Sequence, residues 1–253
     1  MSDMHHEFSV GDSVRVDAAT ASGDITIVPG DSGTVGVDLS GSTDDYTIEL
    51  VGDTVMVQPE KGRRRRFRST DIVVRAPEGV TVVARCTSGD INITVPANDV
   101  DLSVASGDIR VREVRGSAKV KAASGDVTID DISHQATITT ASGSVKVGRV
   151  GSGAVITTAS GDAVVDLVEG TAKFQTASGD VNVRRLTGTG LSVKSLSGDL
   201  RVGIPPRRRI DFDVQSLSGE LRTDLPPGDG SPPEKRVNLR VKSVSGNVTL
   251  LGA

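Results

Sequence analysis

The chain has no tryptophan, one tyrosine, four phenylalanines and a single cysteine in 253 residues. Without large rings the core cannot rest on a few bulky anchors, and little is left to stack against sugars or bases. The lone Cys86 excludes an intramolecular disulfide and fits a reducing compartment. Its place just before a turn makes it a small buried hydrophobe rather than a reactive thiol. No stretch approaches the ~20 apolar residues of a membrane helix. The first twenty residues carry neither a basic segment nor an apolar run of signal-peptide length, so a cytoplasmic location is expected. A net charge of −4 gives no general attraction to nucleic acid or anionic membranes. What is abundant is glycine, 29 residues, together with the β-branched and aliphatic residues that favour strands.

The glycines are not scattered. Ser-Gly-Asp or a close variant begins at Ser88, Ser106, Ser124, Ser142, Ser160, Ser178, Ser197, Ser218 and Ser245, at intervals of 18, 18, 18, 18, 18, 19, 21 and 27 residues. A further copy, Ser22-Gly23-Asp24, lies far upstream. Within one interval, Val127 and Ile129 alternate with polar residues, Ile132 follows a corner, and Ala136, Ile138 and Thr140 form a second alternating run. Alternation with period two is the strand signature. Two strands per interval, each stacked on its equivalent, predict an all-β fold: a right-handed parallel β-solenoid with rungs of about 18 residues.

The ends depart from this pattern. Residues 1–7 are expected to be mobile, residues 8–86 to form an N-terminal β cap, and residues 87–253 to form the solenoid as one continuous unit. Toward the C-terminus, Pro205-Pro206-Arg207-Arg208-Arg209 and the segment Leu225–Arg236 lengthen the connections. Only Gly252 and Ala253 follow Leu251. The last rung, with Val248, Leu250 and Leu251, is therefore expected to expose unpaired backbone and to associate with a second copy end to end.

N-terminal strands, an Arg-rich loop, a strand pair around Pro77-Glu78-Gly79, and tandem SGD-hydrophobic-x-hydrophobic rungs together resemble the bacterial "putative adhesin" β-strand-repeat family, also called toastrack domains. The resemblance runs from about Phe8 to Leu250. It implies a β-solenoid with a binding or scaffolding role, often beside membrane-associated envelope-stress systems, and it supplies no catalytic residues.

The turn residues Gly89, Asp90, Gly107, Asp108, Gly125, Asp126, Gly161, Asp162, Gly179, Asp180, Gly198 and Asp199 would align along one edge. A cation stripe is one reading, but the same position holds Ser144, Glu220 and Asn247 elsewhere, which suits a hydrogen-bonded turn better than a metal site. Arg63, Arg64, Arg65, Arg66 and Arg68 form a basic cluster that could meet an anionic ligand, with Arg207, Arg208 and Arg209 a second patch. With only Phe67 nearby, specific nucleic-acid recognition is not expected. Among acidic residues, Asp130, Asp131 and Asp166 are within reach of adjacent rungs, but carboxylates at corners are commonplace and do not by themselves mark acid/base chemistry. The histidines His5, His6 and His134 are too dispersed for a metal site. The sequence thus points to a non-enzymatic scaffold without cofactor, binding a protein partner or itself. A surface adhesin is the alternative, and a polysaccharide-active enzyme a remote one.

Overall fold

The structure, a computed structural model, describes residues 2–60, 69–225 and 235–253. These residues form 25 strands and no helix, so no helix is long and apolar enough to cross a membrane. The chain divides into two compact units, Met1–Ile129 and Asp130–Ala253.

In the first unit, successive coils stack in parallel register. Arg15–Ser22 pairs with Val80–Ser88, which pairs with Ala97–Ser106, which pairs with Ala118–Ser124. On the second face Ile25–Pro29 pairs with Ile91–Ile93, and Ile91–Ile93 with Ile109–Val114. The upstream Ser22-Gly23-Asp24 copy therefore belongs to the ladder, with Ser22 opposite Ser88. Between this coil and its successor the chain makes an excursion. Thr54–Pro59 and Thr70–Ala76 add a parallel coil on the other side of Arg15–Pro29. Thr34–Gly41 then covers Thr70–Ala76, and Tyr46–Val51 covers Thr54–Pro59, both antiparallel. Reversing the strand direction ends the parallel stack, which is how a solenoid blunts an open edge. Residues 2–9, expected to be largely a mobile terminus, form the strand Ser2–Ser9 antiparallel to Thr34–Gly41. There His5 Nδ1 lies 2.6 Å from Asp38 Oδ1, and Arg75 also bonds Asp38. Burial raises the Asp38 carboxyl, but these hydrogen bonds and the Arg75 charge outweigh it and leave the pKa below its ordinary value.

The second unit repeats the plan. Gln135–Ser142, Gly153–Ser160, Thr171–Ser178 and Gly190–Ser197 pair in turn on one face. Val145–Val150, Ala163–Val168, Val181–Leu186 and Leu200–Ile204 pair in turn on the other. The core is a set of columns, as the missing aromatics require. Ile138, Ile156, Phe174, Val193 and Val241 stack in one, and Val147, Val165, Val183, Val202 and Leu250 in another, all essentially buried. Each such aliphatic side chain contributes roughly 1.5–3 kcal/mol on burial, so stability is spread evenly over the coils.

Chain order and spatial order part at the C-terminal end. The last strands, Lys235–Ser245 and Val248–Gly252, pair with Gly190–Ser197 and Leu200–Ile204 on one side. On the other side they pair with Arg208–Ser218 and Leu221–Asp224. The final coil in sequence is thus sandwiched, and the outermost coil is the one before it. Val248 and Leu250 are consequently buried, at 3% and 0% exposure, and only Leu251 stays partly open at 38%. The exposed end expected at Val248, Leu250 and Leu251 lies instead on Arg208–Ser218 and Leu221–Asp224.

Candidate interaction surface

The turn ladder carries most of the residues singled out from the sequence. In the first unit the backbone N–H of Asp90 donates to Asp24 Oδ1 and that of Asp108 to Asp90 Oδ1, both at 2.8 Å. The N–H of Asp126 donates to Asp108 Oδ1 at 3.0 Å. In the second unit the same bond links Asp180 to Asp162 and Asp199 to Asp180 at 2.8 Å. Asn247 then donates to Asp199, and Glu220 donates to Asn247 Oδ1 at 3.0 Å. Asp24, Asp90, Asp108, Asp162, Asp180 and Asp199 thus each accept a neighbouring rung's backbone N–H. The outer oxygens meet arginine: Arg110 lies 2.8 Å from Asp108 and 3.7 Å from Asp90, and Arg201 lies 3.7 Å from Asp180 and 3.9 Å from Asp199. Among the described residues no group of three metal-ligating side chains converges.

Glycine is needed beside each Asp for a separate reason. Gly107 has φ +136°, and a Cβ there would overlap the Gly89 carbonyl of the neighbouring rung, 2.6 Å from its carbon. The turns stack so closely that no side chain fits between them.

Outside the turns, Asp131, Glu169 and Asp166 are ion-paired. Arg149 bridges Asp131 at 3.1 Å and Glu169 at 2.7 Å. Arg184 Nη1 lies 3.0 Å from Asp166 Oδ1, an ion pair whose angle falls short of a hydrogen bond. Asp131 and Glu169 meet at the Arg149 guanidinium, while Asp166 is held by a different arginine. Cys86 is buried, with its Sγ donating to the Gly23 carbonyl at 3.3 Å. Burial pushes its thiol up to about 11, with the nearby Asp24 and Asp90 charges acting in the same direction. It is a neutral core residue.

Of the basic clusters, Arg63, Arg64, Arg65, Arg66 and Arg68 lie outside the described residues. In the second patch Arg209 faces Asp211 at 3.6 Å.

The most unusual surface was not anticipated. At the position before each turn serine, the first unit has Ala21, Thr87, Ala105 and Ala123, and the second begins with Ala141, Ala159 and Ala177. The remaining three copies have Leu196, Val244 and Leu217. The register places Leu196 beside Val244 and Val244 beside Leu217, since Ser195 and Ser216 both face Ser243, and Ser197 and Ser218 both face Ser245. They stand 59%, 45% and 86% exposed and form a continuous aliphatic ridge on the outermost coils. Lys194 and Lys242, mutually in register, lie two residues before Leu196 and Val244 and are likewise exposed. The signal was present in the sequence as a change from Ala-Ser-Gly to Leu-Ser-Gly and Val-Ser-Gly. On the same sheet an open groove of about 660 Å³ has Gly153, Gly190, Lys173, Arg240 and Phe212 in its lining.

Comparison with known proteins agrees with this architecture. A search of curated proteins finds no significant match. Among solved structures, a "putative adhesin" from Parabacteroides distasonis superposes with a TM-score of 0.55 at 12% identity, covering 99% of this chain and 97% of its own. A second, from Parabacteroides merdae, gives 0.47 at 11% identity, covering 98% and 96%. At these identities the first likeness speaks for the fold alone. The family profile Toastrack DUF4097 matches residues 19–251, from the first coil almost to the end of the last, and the chain belongs to that toastrack family.

Proposed function

We propose that this protein is a non-catalytic scaffold that binds a protein partner through the aliphatic ridge of Leu196, Val244 and Leu217. The observation that carries the reading is the exposure of these three neighbours at 59%, 45% and 86%, where the equivalent positions of earlier coils hold alanine or threonine. A contiguous exposed apolar patch of this kind marks an interaction site. Its surround of serine hydroxyls and two lysines supplies the polar rim that protein interfaces use. The acids that would serve an enzyme are instead structural: the turn aspartates hold neighbouring backbones and Asp131 and Asp166 hold arginines.

The test is co-purification from the native host, comparing wild type with Leu196→Ser/Val244→Ser. Both positions are exposed, so the variant should fold normally. A specific partner retained by wild type and lost by the variant is expected. A partner kept by both would place the binding surface elsewhere. The adhesin description attached to the P. distasonis structure offers a second reading for this chain, a ligand-binding role at the cell surface. Fractionation of native cells separates the two, since the scaffold reading favours a cytoplasmic pool.

A further inference from the structure

We infer that the outermost coil of the second unit, Arg208–Ser218 with Leu221–Asp224, docks edge to edge against the same coil of a second copy about a two-fold axis. Among the described residues neither strand has a pairing partner on its outer side. Among the described residues the core columns also end there uncovered. Phe212 stacks on Leu239 and Leu221 on Val248, yet Phe212 is 46% exposed and Leu221 51%, against 1% and 3% for the residues beneath them. An open row of backbone groups above an open apolar cross-section is a template for another strand.

Size and charge both favour a second copy as the occupant. The edge strand has 11 residues. At ~3.3 Å per residue, and ~20 Å across two sheets packed ~10 Å apart, the end face is on the order of 700 Å². A standard stable interface covers about 800 Å² per partner. The edge strand reads Arg208-Arg209-Ile210-Asp211-Phe212-Asp213-Val214, basic at its start and acidic in its middle. Antiparallel self-pairing with Asp211 on the axis puts Arg209 opposite Asp213 twice, and Ile210 opposite Phe212 twice. The two Asp211 side chains would then meet, but each already has Arg209 at 3.6 Å and Arg236 at 3.7 Å in its own chain. An isologous contact of this kind closes on itself, giving a dimer instead of a filament.

The inference does not depend on the ridge being the partner site, and the variants keep the two apart. Sedimentation equilibrium of the full chain at ~50 µM, a concentration that saturates a micromolar dimer, should give twice the monomer mass. Phe212→Asp/Leu221→Asp should weaken association at least tenfold with an unchanged circular dichroism spectrum, while Leu196→Ser/Val244→Ser stays dimeric. A second arm remains informative should the first variant fail to fold. Asp211→Cys should form an intermolecular disulfide under mild oxidation, because directly opposed strand residues lie within disulfide reach, whereas Lys173→Cys should not. A wild-type monomer, an open series of higher oligomers, or an Asp211→Cys chain that stays unlinked would each overturn the inference.

Discussion

Replacing one glycine and one aspartate of the same turn column separates the two physical roles assigned to the ladder. Gly107→Ala places a Cβ where the Gly89 carbonyl already sits, at a φ of +136°. The strained backbone alone costs about 1–3 kcal/mol. Because the obstacle is backbone and not a side-chain end, relief requires the rungs to part, so a total of about 3 kcal/mol or more is expected. Asp90 acts differently, by accepting the Asp108 N–H at 2.8 Å in a part-buried position. Asp90→Ala strands that donor and should cost about 1–2 kcal/mol. Asp90→Asn keeps an acceptor oxygen, as Asn247 does toward Glu220 at 3.0 Å, and loses only exposed ion pairing with Arg110 at 3.7 Å. Its cost should stay under about 1 kcal/mol. Urea unfolding followed by circular dichroism measures all three, with an unchanged m-value confirming that midpoint shifts report stability. If Asp90→Asn proves as damaging as Asp90→Ala, negative charge and not hydrogen bonding holds the column, and the cation stripe returns as the better reading.

Three further outcomes follow from the same structure. Cys86, with its thiol pushed up to about 11, should resist alkylation by iodoacetamide at pH 8 in the native state and react on unfolding; fast native labelling would place the thiol outside the core. The Asp38 pKa is depressed on folding, so its contribution is fully present above the ordinary carboxylate value and lost as pH falls through the lower folded value. Amide protection of Ser2–Ser9, taken relative to the intrinsic exchange rate at each pH, should therefore fall on acidification below pH ~4, and His5→Ala should loosen the strand at neutral pH; protection that ignores both changes would remove Asp38 as its anchor. Arg149→Ala should lower stability by less than about 1 kcal/mol despite breaking two ion pairs, since all three side chains are over a third exposed; a larger loss would show the bridge acting as a clamp.

The regular spacing of Ser-Gly-Asp made the middle of the fold legible. Eighteen residues from Ser142 to Ser160 and from Ser160 to Ser178 leave one way to put Ile138, Ile156 and Phe174 in a single column. The ends were less legible because chain order does not dictate stacking order. Nothing in the alternation of Val237, Leu239 and Val241 says that they lie between two coils from earlier in the chain rather than beyond them, although their near-complete burial requires it. The strand Ser2–Ser9 was missed because His5, His6, Glu7 and Ser9 stay exposed and Met4 and Phe8 are only half-buried, so no clear apolar alternation betrays it. The structural reading of the turn aspartates rests on Ser144, Glu220 and Asn247 at equivalent positions, and the carboxylates of Asp24, Asp90, Asp108, Asp162, Asp180 and Asp199 each accept a neighbouring backbone N–H. Leu196, Val244 and Leu217 were overlooked because single exposed aliphatics mean little; only the register reveals that the three are neighbours.

Site-specific photo-cross-linking tests the ridge most directly. A photoreactive side chain at Leu196 and one at Ala159 occupy the same column of the same sheet two coils apart, so they differ in place and not in environment type. In native cells the probe at Leu196 should trap a discrete protein, and the probe at Ala159 should not. Equal trapping at both positions, or none at Leu196, would contradict the ridge as the surface through which this scaffold acts.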